Sequence, residues 1–167
     1  MKNSTKNKFI IYSFTPNDIL VNASGITSVL GASRSTENGD NLFDYLSLSE
    51  DDRILIQQFI KEAVTEINLK LLAYSCDIFI SNKDDLEEIE KINFQTVLPP
   101  NSFDQIIDIL NNYILNFITY YLIYSWLIIK KPDEASVYFE KSMSYINGIT
   151  GLLNKRKSIV KRKCRWF

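Results

Sequence analysis

Residues 101–131 read NSFDQIIDILNNYILNFITYYLIYSWLIIKK, and this stretch decides the fold. Its apolar side chains fall on most sides of a helix, so such a helix must be enclosed by other elements or by lipid. Pro99-Pro100 ends whatever precedes it, and Ser102 can cap it. Lys131-Pro132 breaks it at the far end. Asp133 and Glu134 then suit the first turn of a second helix, with Pro132 at its start. Ala135, Tyr138, Phe139, Ile146, Ile149 and Leu153 make that helix's apolar stripe. The spacing predicts helices over about 102–131 and 133–156, and the short joint makes them antiparallel neighbours.

The first of these helices must be tested against a membrane. Residues 113–129 (YILNFITYYLIYSWLII) come near the minimum span. However, Asn116 interrupts them, and Tyr120, Tyr121 and Tyr124 sit mid-segment rather than at an interfacial belt. Asp104, Asp108, Asn111 and Asn112 occupy the turns upstream. Enclosure by protein is the expectation. A small membrane-associated protein using residues 113–129 stays open as an alternative.

Upstream, Ser49-Glu50-Asp51-Asp52 has the form of a helix start, with Ser49 accepting from a free N–H and Asp52 reaching back. Ile56, Phe59, Ile60, Ala63, Val64, Ile67 and Leu71 recur at helical spacing, which predicts a helix over about 50–74. Residues 77–81 (DIFIS) and 92–97 (INFQTV) predict two strands, joined by the charged segment NKDDLEEIEK into a hairpin at about 76–98. Nearer the N-terminus, residues 1–8 are expected to fray. The apolar run 9–14 is too short for an export signal, and no export is expected. Thr15-Pro16-Asn17-Asp18 opens a short helix over about 16–22, residues 31–41 form a loop by composition, and 42–48 supply a helical turn. The fold expected is mainly α: a helical bundle of three principal helices with a small inserted β-hairpin and extended terminal arms. The expected division is an N-terminal arm and loop at 1–48, a helical domain at 49–157 and a basic tail at 158–167.

Composition narrows the chemistry. A chain of 167 residues fits one domain with a core of useful size. It contains no histidine, so the commonest general base and zinc ligand are missing. Cys76 and Cys164 form no motif, and a reducing compartment is the default. Gly25 and Gly31 match no phosphate-binding loop. Asp84, Asp85, Glu87, Glu88 and Glu90 lack the spacing of an EF-hand, and a solvated loop is the plainer reading. No catalytic residue, cofactor site or metal site is singled out.

Net charge is −1, but it is unevenly spread. Residues 51–100 carry twice as many acids as bases and residues 101–167 the reverse. Opposed patches of this kind suit head-to-tail contact between copies; a solvated surface of uneven sign is the alternative. The end of the chain, KRKSIVKRKCRWF, holds no acidic side chain. Lys155, Arg156, Lys157, Lys161, Arg162, Lys163, Arg165, Trp166 and Phe167 are therefore the candidate partner-contact residues. Three readings stay open for them: a docking arm for an acidic neighbour, a nucleic-acid contact, or a solubilising end.

The order TPNDIL, SLSEDDRILIQQFIKEAVTEI, a strand pair ending in LPP, and closing helices with W-x4-KPDEA-x2-Y and a KRK-rich tail resembles the small head-to-tail connector (adaptor) proteins of tailed phages, those of Bacteroidetes-type hosts above all. The resemblance covers roughly residues 15–165 and rests on helical patterns. It implies a virion structural protein assembled in the host cytoplasm and resident in the neck. It further implies a homo-oligomeric ring, usually twelve-fold, that binds the portal protein and the next neck or tail protein and continues the DNA channel. Weak contact with packaged DNA is compatible with it; a membrane role and an enzymatic one are not expected. The contact regions it implies are the hairpin at 76–98 and the tail at 155–167. The isoleucine- and tyrosine-rich central helix departs from the pattern and leaves the neck layer open.

Overall fold

The computed structural model describes residues 8–33, 42–74, 76–83, 88–98 and 104–154. In chain order these give β1 (Lys8–Phe14), α1 (Pro16–Ala32), α2 (Phe43–Leu46), a 3-10 turn (Glu50–Asp52), α3 (Arg53–Leu71), β2 (Cys76–Asn82), β3 (Ile89–Leu98), α4 (Asp104–Lys130) and α5 (Pro132–Leu153). The architecture is mainly helical with one small antiparallel sheet, as the sequence pattern implies.

α4 is the centre. α5 folds back along it, while α1, α2 and α3 pack on its other sides. Leu110, Ile114, Phe117, Ile118, Leu122, Ile123 and Leu127 are all buried. Trp126 is buried too, and its indole N–H donates to the Leu46 carbonyl at 2.9 Å, which ties α2 to α4. Gly148 of α5 faces the ring of Tyr113; a Cβ there would come within 2.4 Å of it. The glycine thus lets the two long helices approach closely.

The hairpin expected at 76–98 is present as β2 and β3. A third strand, β1, pairs antiparallel with β3, so the order is β1-β3-β2. One face is apolar and turned inward: Phe14 lies opposite Ile92, and Phe94 opposite Ile78. All four are buried. The outer face carries a polar ladder instead. Ser13 Oγ donates to Asn93 Oδ1 at 2.8 Å, and Asn93 Nδ2 donates to Ser81 Oγ at 2.8 Å. This alternation is what a half-covered antiparallel sheet requires. The outer rim of β2 is closed by a side chain. Asn68 of α3 donates to the Ile78 carbonyl at 2.6 Å and accepts from the Ile78 N–H at 2.9 Å.

Some boundaries differ from expectation for physical reasons. α1 runs ten residues beyond the expected 16–22. Thr15 and Asp18 form a reciprocal cap at its start. Ile19, Ala23, Thr27 and Gly31 form a buried stripe at four-residue spacing. Gly31 sits so close to the Phe43 backbone that a Cβ would lie 2.7 Å from its Cα. Gly31 and Ala32 therefore belong to the helix, and residues 34–41 of the expected loop lie outside the described residues. At the start of α3, Asp52 does reach back to the Ser49 N–H at 3.2 Å. The Ser49 hydroxyl, however, donates to Asp52 rather than accepting from a helix N–H. The first turn is 3-10, and the helix proper begins at Arg53. Residues read as an N-terminal arm supply β1 and α1, and Phe14, Ile19, Ala23, Leu46 and Leu48 share one core with α3, α4 and α5.

Two substitutions probe this packing. Trp126→Ala should lower unfolding free energy by about 3–5 kcal/mol in a denaturant titration. Asn68→Ala leaves both Ile78 backbone groups without their side-chain partner and should cost about 1–3 kcal/mol, with faster amide exchange confined to β2.

Candidate functional site

The nine tail residues singled out by the sequence, Lys155 to Phe167, lie outside the described residues. The same is true of Asp84, Asp85 and Glu87. The hairpin that carries the other expected contact region is described on both strands. Three surfaces have the make-up of functional sites.

The first is the base of the hairpin. Glu88 receives Arg53 from α3 in an ion pair and Lys83 from the end of β2 at 3.4 Å. Arg53 and Lys83 are largely open to water, so these pairs add at most about 1 kcal/mol each. They fix where the hairpin stands relative to α3. Beside them lies a cavity of about 490 Å3, lined by Pro16, Leu20, Ile56 and Ile89 along with the charged groups. Among the described residues, no group of His, Cys, Asp or Glu is placed to hold a metal ion.

The second surface is aromatic. Two rows of rings flank the α4–α5 seam. On the α3 side, Phe117, Tyr121, Tyr124 and Phe139 follow one another at centroid distances of 5.7, 5.7 and 4.9 Å. On the other side, Tyr113, Tyr145, Tyr120 and Tyr138 follow at 5.6, 5.6 and 6.3 Å. Lys141 Nζ lies 5.5 Å from the Tyr120 ring and 5.2 Å from the Tyr138 ring. Burial pushes the Tyr121 hydroxyl above its ordinary value, and the carboxylates of Glu66 and Glu62 add to the shift. Tyr145 is raised by burial and by Tyr120 and Tyr113 beside it. Cys76 is raised by burial, against a hydrogen bond with Thr96 at 2.9 Å.

The third surface is the outward ridge of α3. Ile54 is 85% exposed, Leu69 58% and Leu72 76%. Ile54 and Leu72 are eighteen residues apart, five full turns, and so lie on one line along the helix. The sequence reading recorded only the inward stripe of this helix. The signal for the ridge was the complementary spacing of 54, 69 and 72 on the face left over.

α4 also bears on the membrane question. Its segment Ile106–Lys130 is long and apolar enough to cross a membrane by length and composition, at a mean hydropathy of 1.3. In the folded chain, α1, α3 and α5 pack against this helix.

No protein-family model, curated protein or solved structure matches this chain.

The raised tyrosine and cysteine groups set an alkaline limit. Near pH 7 both folded and unfolded chains keep these protons. From about 9.0 for Cys76 and 10.0 for the tyrosines the unfolded chain releases them first, so stability falls as pH rises. These groups leave the denaturation midpoint flat from pH 7 to about 8 and lower it progressively above that. Tyr121→Phe should make that decline shallower.

Proposed function

We propose that this protein is a non-enzymatic structural subunit that self-assembles into a ring at the head-to-tail junction of a tailed phage. There it joins the portal to the next neck or tail protein and continues the DNA channel. The observation that carries the reading is the ridge on α3. Ile54 at the start of α3 and Leu69 and Leu72 at its end stand in water on a helix whose opposite face is packed, and these two apolar points, with Gln58, Lys61 and Thr65 between them, are the contacts that this reading assigns to a neighbouring copy. In a cyclic assembly the partner for such a ridge is a different face of the next copy. Exposed Val21 and Val29 on α1 offer one.

Charge supports the same direction. The middle of the chain is acidic and its end basic, so opposed patches can orient one copy against the next. The resemblance to phage connectors supplies the place, the neck of the virion, and the partners. In this reading the hairpin and the tail contact the layers above and below.

The test is assembly state. Native mass spectrometry of the purified chain should give one closed oligomer, and imaging of particle necks should find it there. Ile54→Asp combined with Leu72→Asp should dissociate the oligomer by at least about a hundredfold in concentration while leaving the helical circular dichroism unchanged. A wild-type chain that stays monomeric at all concentrations and is missing from particles overturns the proposal. The apolar character of Ile106–Lys130 favours a second reading, a membrane-associated protein. Flotation of the chain with lipid vesicles, in the absence of detergent, would support that reading against the ring.

A further inference from the structure

α4 and α5 are joined only through Lys131, and along their seam each helix brings tyrosines to the other. Tyr120 of α4 and Tyr145 of α5 are matched most nearly face to face. Their ring centroids are 5.6 Å apart and their planes are 14° from parallel. The hydroxyls of Tyr145 and Tyr120 share a hydrogen bond, so the oxygen-bearing ends of the two rings meet. In a phenol the ortho carbon is bonded to the carbon that bears the hydroxyl. Hydroxyls in contact therefore bring an ortho carbon of one ring beside an ortho carbon of the other. Each ring also has a further tyrosine against it. Tyr138 lies 6.3 Å from Tyr120, and Tyr113 lies 5.6 Å from Tyr145. All four rings are half-buried, so part of each is open to small solutes. Tyr121 and Tyr124 are about as near to each other, at 5.7 Å, but their planes cross at 69° and both sit on one helix.

We propose that Tyr120 and Tyr145 form a modification site, at which a small anionic one-electron oxidant of the carbonate-radical class couples them into a dityrosine that staples α4 to α5. Two equivalents of oxidant are used. Each takes one electron from a ring, and the phenolic proton leaves with it, so that each carbonate radical becomes bicarbonate. The two phenoxyl radicals share their unpaired electrons with the ortho carbons and join there by one new carbon–carbon bond. The hydrogens on those two carbons then move to the oxygens, and both rings are aromatic again. Two electrons and two protons are lost in all, and both hydroxyls remain. The fold contributes the orientation, since the reacting carbons are held together before either electron leaves. Tyr138 and Tyr113 enlarge the target, because a radical formed on either passes by electron transfer to the ring it touches. Lys141 sets the charge preference: its Nζ lies 5.5 Å from the Tyr120 ring and 5.2 Å from the Tyr138 ring, and it draws an anion rather than a cation. Twenty-four residues separate Tyr120 from Tyr145, so the new bond closes a loop and restricts the unfolded chain as a disulfide would. The inference does not depend on the ring assembly.

Carbonate radical anion, made by flash photolysis of persulfate in bicarbonate buffer, tests it on a dilute equal mixture of unlabelled and nitrogen-15-labelled full-length chain. The main coupled product should be a single chain lighter by two hydrogen atoms. It should show dityrosine fluorescence and yield a peptide joining Tyr120 to Tyr145 that carries one isotopic label. Its unfolding rate in denaturant should fall by at least about tenfold. Tyr120→Phe and Tyr145→Phe, each with its helical circular dichroism checked, should lower the fluorescence yield by at least about tenfold, and Tyr121→Phe should leave it at the wild-type level. Coupling mainly between Tyr121 and Tyr124, or mainly between chains of different label, would overturn the proposal. Persulfate consumed with no link between Tyr120 and Tyr145, or an undiminished yield in both of their phenylalanine variants, would overturn it as well.

Discussion

Enclosing α4 is the constraint on which the rest of the structure depends. A helix with apolar groups on nearly every side cannot rest on a single partner. α5 covers one side by folding straight back, and it can do so because Lys131-Pro132 leaves only a joint between them. α3 and α1 cover two more. The sheet then packs on α3 and α1. Each placement follows from the one before it. Hydrophobic burial supplies the drive at about 25 cal/mol per Å2, and the small residues supply the fit. Gly148 sits under the ring of Tyr113 and Gly31 against the backbone of Phe43, and neither position has room for a Cβ.

The long helices were legible because their signals were strong and local. An apolar run bounded by Pro100 and Pro132, a stripe from Ile56 to Leu71, and strands of period two all announce themselves within a few turns. α1 was less legible. Its buried stripe is built from Ala23, Thr27 and Gly31, small residues that read as loop when taken one at a time. Thr27 shows why the reading fails: its hydroxyl bonds back to Ala23 within the helix and also accepts from the Leu48 N–H at 3.1 Å. That second contact joins residues far apart in sequence. β1 escaped for the same reason, since a run of apolar residues becomes a strand only when β3 lies beside it.

The surface was legible in composition but not in place. Counting charges finds an acidic middle and a basic end, yet nothing in the count shows that Glu62 and Glu66 flank Tyr121, or that Glu88 gathers Arg53 and Lys83. Nor does it separate the two rows of tyrosine on opposite flanks of one seam. Those groupings arise because α3 and α5 share α4 as a common support. A fold built for enclosure thereby also arranges its outside: one flank acidic and aromatic, the other aromatic with a lysine across two rings.

The sheet has two rims of different character. Along β2 the amide and carbonyl of Ile78 are already engaged by Asn68, so that border is sealed by a side chain posing as a neighbouring strand. Among the described residues β1 pairs only with β3. A polypeptide that extends this sheet past β2 must therefore first displace the Asn68 side chain from Ile78.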